Sequence, residues 1–227
     1  MLVEIRQATE EDVQDIVAVK QSVWPQEETK HDFAVGVVRN PTHTTLIAVQ
    51  GNKVAGFVDG FMTTSANGIQ RWEVDLLAVD PAYRGLGIAT QLVMASTNAG
   101  QAAGASATRA LVGTDNAASQ RTFARCSYVR NPERQALYIG VARSEPAPTH
   151  DAHFIPVSTM NYTGVWVEGR LSKQSLTAAQ AMRAQHHWDV AGAVIPVNLP
   201  TSIQAAQEAC YALVGEYEWW QLDLNKP

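Results

Sequence analysis

Trp72-Glu73-Val74-Asp75-Leu76-Leu77-Ala78-Val79-Asp80-Pro81-Ala82-Tyr83-Arg84-Gly85-Leu86-Gly87-Ile88-Ala89-Thr90-Gln91 reads as a strand, a tight glycine turn and the start of a helix. Val74, Leu76, Leu77 and Val79 make the strand apolar, with the carboxylates of Glu73 and Asp75 among them. Asp80-Pro81 stops it, because proline brings no N–H to a ladder and restricts the residue before it. Gly85 and Gly87 let the backbone turn sharply and approach a ligand closely. From Leu86 onward Ile88, Leu92, Val93 and Met94 fall at helical spacing. The unpaired N–H groups of such a helix start, together with the turn amides, form a site for phosphate.

Outward from this stretch the chain divides in two. Before it, Leu2–Gln7 alternates as a strand, Thr9 caps a helix to about Val23, and a second helix falls within Thr29–Val38. Thr44–Gln50 and Lys53–Thr63 form a hairpin about Gly51-Asn52. After it, Ser106–Gly113 is a strand and Asn116–Cys126 a helix. Tyr128–Arg130 and Gln135–Val141 are a closing strand pair. These predict a mixed α/β sheet over residues 1–143. Residues 144–152, with Pro146 and Pro148, read as a linker. Residues 153–227 read as a smaller α/β half-domain: strand 163–169, helix 175–187, strand 191–197, helix 201–213 and strand 218–224. That order repeats the second half of the first unit. Asn116 echoes Asn198, and Cys126-Ser127-Tyr128 echoes Gly215-Glu216-Tyr217, which suggests a degenerate half-repeat. Leu171–Leu176 stands where a second glycine turn would be needed, so one phosphate site is expected and not two.

The hydrophobic fraction of 46% supports a packed core. A net charge of −5 and a pI of about 5.7 argue against a general nucleic-acid or anionic-membrane binder. No apolar run reaches the roughly 20 residues of a membrane helix, and the acidic start lacks the pattern of a signal peptide. Cys126 and Cys210, far apart and outside any CxxC pair, favour a reducing cytoplasm.

Val79–Ala89 resembles the acyl-CoA-binding signature of the GNAT superfamily of N-acetyltransferases. Its core is Gln or Arg, two residues, Gly, one residue, then Gly or Ala, filled here by Arg84, Gly87 and Ala89. The order of elements over residues 1–142 fits the same family, and the resemblance implies its mixed, mostly antiparallel twisted sheet flanked by helices. Asp115–Tyr128 is similar to its second motif, in which Asn and a small residue open a helix. The resemblance implies acetyl-CoA as donor and no metal. The amides of Arg84, Gly85, Leu86, Gly87, Ile88 and Ala89 would cradle the pyrophosphate. Leu77, Ala78 and Val79 would line the pantetheine arm, with the Leu77 N–H polarising the thioester carbonyl. Asn116 and Ser119 would contact the arm from the other side, although Asn116 also suits a simple helix cap.

The implied acceptor is a primary amine of a small molecule or a protein, attacking directly in a ternary complex. An amine with a pKa near 10.4 must lose a proton first, so a base or water relay is required. Glu73 is the favoured base and Asp75 the alternative, two residues on and nominally on the same strand face. A bulge in this strand would change which one faces the cleft. Relatives carry a proton-donating tyrosine seven residues after the asparagine, but here that position is Phe123. Phe123 supports the alternative of a non-catalytic acyl-CoA-binding or interaction protein. A third reading makes residues 150–227 a dimerisation or substrate-capping half-domain. A homodimer is one expected partner arrangement; nucleic acid and membrane are not. His150-Asp151-Ala152-His153 reads as a solvated loop more readily than as a metal site.

Overall fold

The computed structural model describes residues 3–27, 30–142 and 152–225. β1 (Val3–Gln7) leads through a 3₁₀ turn at Glu10–Asp12 into α1 (Val13–Val23) and α2 (His31–Arg39). β2 (His43–Gln50), β3 (Lys53–Thr64) and β4 (Gln70–Val79) follow as an antiparallel meander that β1 extends at its edge. α3 (Ile88–Ala102) crosses over to β5 (Ala107–Gly113), which pairs with β4 in parallel, and α4 (Ala117–Arg125) precedes β6 (Val129–Gly140). The second half contains β7 (Ala152–Ser158), β8 (Thr163–Gly169), α5 (Lys173–Gln185), β9 (Val190–Pro196), α6 (Pro200–Glu208) and β10 (Tyr211–Asp223).

Among the described residues, ten strands form one sheet in the order β1-β2-β3-β4-β5-β10-β6-β9-β8-β7. The last strand of the chain lies between β5 and β6, antiparallel to both. From β3 to β7 the order is a palindrome about the β10–β6 pair. β4 and β5 are parallel across α3, and β8 and β9 are parallel across α5. Each half thus lends its final strand to the other: β10 flanks β5, and β6 flanks β9.

The same symmetry corrects the register of the echo. Two residues past the ends of α4 and α6, Ser127 and Cys210 are both left-handed, with φ of 66° and 58°. A buried tyrosine then opens each following strand region, Tyr128 in one half and Tyr211 in the other. Cys126-Ser127-Tyr128 therefore matches Ala209-Cys210-Tyr211, not residues 215–217. The expected helix 201–213 ends at Glu208 for the same reason: Cys210 takes a backbone conformation that glycine usually marks. The expected strand pair at 128–141 is one strand. Asn131–Glu133, which include Pro132, bulge out between the pairs Arg130–Trp220 and Arg134–Glu218 without ending the strand. β7, at the sheet edge, carries Pro156, which an edge strand tolerates. The expected linker lies outside the described residues up to 151, and Ala152 already belongs to β7.

Among the described residues, four apolar clusters fill the layers. On one face Leu92 and Val93 of α3 pack on Trp72, Val74, Val112 and Trp220. Trp72 donates its indole N–H to Ser96 Oγ at 3.0 Å. Gly60 and Gly100 leave room for its ring, which an added Cβ at either would strike. The opposite face holds Ile16, Val19 and Val37 against Ile47 and Phe57. The second half has its own core around Val165, Leu176, Ile195 and Tyr211. The far end of the sheet bends back onto the first half, where Ile155 and Val157 of β7 pack on Phe61 of β3. His153 Nε2 donates to the Thr64 carbonyl at 2.7 Å, so it ties the halves together.

The entry to α1 is held by Asp12. Its carboxylate accepts from both Arg6 Nη atoms at 2.7 and 2.8 Å and from the Thr9 N–H at 2.8 Å. The Arg6 bond is the main cause holding its pKa down to about 2. A depressed folded pKa adds stability above the unfolded value, lost as pH falls from about 4 through 2. Arg6 is half-exposed, so solvent screening discounts the gain to about 1 kcal/mol. Asp12→Asn is expected to lower stability by that amount at pH 7 and by little at pH 2, as read by urea unfolding at both.

Candidate active site

β4 and β5 stay paired only from Arg71–Ala107 to Glu73–Arg109, then splay apart. At the splay, β4 carries a bulge. Between the pairs Gly60–Val74 and Val58–Leu77, Asp59 of β3 faces both Asp75 and Leu76. Beyond it Asp80 donates its N–H to the Ala55 carbonyl at 2.9 Å. Alternation along an antiparallel ladder then turns the Leu77 and Val79 amides to the other edge, into the space β5 has vacated. Ala78 instead packs its side chain into the α1 core.

The glycine turn closes this groove at one end. Gly85 and Gly87 have φ of 80° and 77°, a left-handed conformation that favours glycine, and a Cβ at either would meet open space. Gly87 is the N-cap of α3 and contributes no side-chain cap, so the first amides of the helix lack that partner. Arg84, Leu86 and both glycines are exposed; Ala89 is half-buried and Ile88 is packed inward. Asn116 and Ser119 stand beyond the end of β5, the Asn116 side chain accepting the Ser119 N–H at 3.1 Å. Asn116 therefore does cap α4. In the second half, Ser172 accepts from the Ser175 N–H at 3.2 Å and closes the start of α5 with side chains of the chain itself.

On the other side of the bulge lies a cavity of about 590 Å³ between the two halves of the sheet. Glu73 and Asp75 both line it, in different states. Glu73 accepts from Arg109 Nε at 2.9 Å on each oxygen and from Thr63 Oγ1 at 2.5 Å. Arg109 and Arg71 each reach Glu168 Oε1 on β8 at 2.8 Å, so two cations and two anions form one quartet. Burial opposes the charge on Glu168, but the Arg71 bond and both guanidiniums outweigh it and hold its pKa below the usual range. The Arg109 guanidinium also stacks over Trp219 at 4.0 Å.

Asp75 makes no hydrogen bond or ion pair to a described residue. Water in the cavity reaches it, yet the protein around it disfavours the charged form, with the charge of Asp59 adding to the effect. Together they raise its pKa to about 7. Asp59 is fully buried behind it, accepting from Thr45 Oγ1 and His43 Nδ1 at 2.8 Å each. Tyr162 also lines the cavity. Its oxygen accepts the Trp166 indole N–H at 3.1 Å, and burial, then the charge of Asp75, raises its pKa.

Phe123 is buried in the α3-side core, edge-on to Tyr128 at 5.0 Å. The Tyr128 hydroxyl is engaged by Thr97 and Thr108 at 2.8 and 2.9 Å. Neither residue can serve a substrate. Cys126 donates to the Thr90 carbonyl and packs against the same core. Among the described residues no group of three His, Cys, Asp or Glu could hold a metal, and no helix is long and apolar enough to cross a membrane. Sequence reasoning missed Arg71, Arg109, Tyr162 and Glu168, which share no local motif and meet only through the bent sheet.

A family model described as the Acetyltransferase (GNAT) family matches residues 5–128, more than half of the chain. No curated protein matches it. Solved structures resemble it at low identity. A GCN5-related N-acetyltransferase from Sphaerobacter thermophilus has a TM-score of 0.62 and 11% identity, over 97% of this chain and 95% of that one. A glucosamine N-acetyltransferase region of a fungal multi-domain GH3 β-N-acetylglucosaminidase has 0.63 and 12%, over 97% and 38%. The NatC complex bound to Gag peptide and CoA has 0.51 and 20%, over 59% and 88%. At these identities the likeness shows the fold, and in the first two cases that fold extends over both halves of this chain.

Proposed function

Because the chain belongs to the GNAT acetyltransferase family, we propose that it transfers the acetyl group of acetyl-CoA to the primary amine of a small molecule, by direct attack in a ternary complex. One observation carries this reading: Asp75 sits at the β4 bulge, where the β4–β5 splay meets the cavity. The splay and the open glycine turn suit the donor. The amides of Arg84–Ala89 would hold the pyrophosphate, and those of Leu77 and Val79 the pantetheine arm. The donor supplies the activated thioester. The cavity, closed over by β7 and β8, suits a small acceptor better than a folded protein.

The amine enters protonated and gives its proton to ionised Asp75. With a pKa of about 7, Asp75 lies nearer the amine than an ordinary carboxylate does, so this transfer is less uphill. The freed amine nitrogen bonds to the thioester carbonyl carbon, and the Leu77 N–H stabilises charge developing on its oxygen. As the C–S bond breaks, the attacking nitrogen, cationic after bond formation, gives its second proton to water, and the departing thiolate takes a proton from water, since α4 offers Phe123 in place of a donor. Asp75 returns its proton to solvent. Glu73 holds Arg109 in place and does not take part in proton transfer.

Free thiol released from acetyl-CoA in the presence of an amine panel tests the whole reading. Amine-dependent release is expected; tight acetyl-CoA binding without release on any amine favours the non-catalytic binder. Gly87→Val tests the donor site separately. A branched side chain at this φ is strained and fills the open space. Acetyl-CoA affinity is expected to fall at least about tenfold, and unchanged affinity by calorimetry would move the donor elsewhere.

A further inference from the structure

Glu168 lies in the second half of the chain, 97 residues from Arg71, and it completes a charge balance inside the cavity. Arg71 and Arg109 are the only cationic side chains among the described residues lining that cavity. Both are already committed. Arg109 bonds Glu73 through Nε and Glu168 through Nη2, and Arg71 bonds Glu168 and approaches Glu73 at 3.6 Å. The carboxylates left over are Asp75 and Glu133, so the space carries surplus negative charge. Much of the remaining wall is apolar or aromatic, including Phe61, Leu111, Leu137, Ile155, Trp166 and Trp219.

We infer that Glu168 is a specificity-determining residue: by neutralising Arg71 and Arg109 it tunes the cavity to an amine on an apolar aryl or alkyl body that bears no acid group. This rests on the proposed acetyl transfer and names its acceptor class. An acceptor carboxylate would find no free guanidinium. It would meet Asp75 and Glu133 instead and remain a poorly paired charge in a partly desolvated space. A cationic amine is drawn to Asp75, and its apolar body covers the aromatic walls. Rejection here comes from a built-in repulsive element as much as from attraction to the right partner.

Phenethylamine and phenylalanine make a matched pair, since they differ only by the carboxylate. Binding is read by tryptophan fluorescence, to which Trp166 and Trp219 contribute, and transfer by thiol release from acetyl-CoA. Glucosamine and a peptide with a free N-terminus complete the panel. Phenethylamine is expected to bind and react about 100-fold better than phenylalanine and better than the other two. In Glu168→Gln, which keeps the size of the side chain, the preference over phenylalanine is expected to shrink at least tenfold as guanidinium charge becomes available. Equal or better use of phenylalanine, glucosamine or the peptide by the native chain overturns the inference. So does an unchanged ratio in a folded Glu168→Gln protein, or failure of phenethylamine to bind. Selective binding of phenethylamine without acetylation upholds it and sinks the proposed catalysis instead.

Discussion

Replacing Asp75 with asparagine is expected to lower kcat by roughly 10²–10⁴-fold while leaving acetyl-CoA affinity unchanged. Asparagine keeps the shape of the side chain and cannot accept the amine proton. Asp75 stands at the edge of the donor groove and not among the turn amides, so donor binding has no reason to change. The pH profile supplies a second readout. The protein packed around the solvent-reached carboxyl first, then the charge of Asp59, raises it to about 7. Only the ionised form takes a proton, so kcat/KM for the amine should rise through about pH 7 and flatten above it. Asp75→Asn should remove that inflection and keep only the slow rate. A rate within a few-fold of the native one would exclude Asp75 as base. Glu73→Gln acts differently, because both Glu73 oxygens are already held by Arg109. It should disturb the charge quartet and change KM for the amine more than kcat.

The second large effect concerns the halves. A chain of residues 1–142 alone is expected neither to unfold cooperatively nor to bind acetyl-CoA. β10 supplies ladders to β5 and β6 together, and its Trp220 is buried in the α3-side core. Without it, β5 keeps only its short parallel contact with β4, and β6 has no neighbour within residues 1–142. Trp220→Ala alone should cost about 3–5 kcal/mol, the usual range for a buried aromatic truncated to alanine. Adding a separate fragment of residues 143–227 to residues 1–142 is expected to restore acetyl-CoA binding. Cooperative melting and native-like binding by residues 1–142 alone would show that β10 is dispensable.

Local signals made the donor side legible. The proline stop, the two glycines and the apolar helix face of residues 72–91 all act within a few residues of one another. The sequence order of strands and helices through residue 125 followed from the same short-range periodicities. The exchange of β6 and β10 left no such trace. A strand paired with its sequential neighbour and one paired with a strand far along the chain have the same alternation. Left-handed Cys210 likewise lacks the glycine that usually announces a helix end, so nothing in the local sequence marks where α6 stops. The acceptor side was the least legible. Glu73 and Asp75 are similar acids two residues apart, and their difference comes from Arg109, Thr63 and Asp59, which other strands supply.

The position of β10 also bears on how the chain is made. During synthesis residues 1–142 emerge first, carrying the whole glycine turn and both proposed carboxylates. Yet β5 and β6 must wait, edges bare, until residues 211–223 leave the ribosome and slide between them. Contacts this distant in sequence form slowly, and unpaired edges are where nascent chains stick to one another. A chain that stops before residue 211 has every residue of the donor turn and still lacks the strand that pairs with β5 and β6.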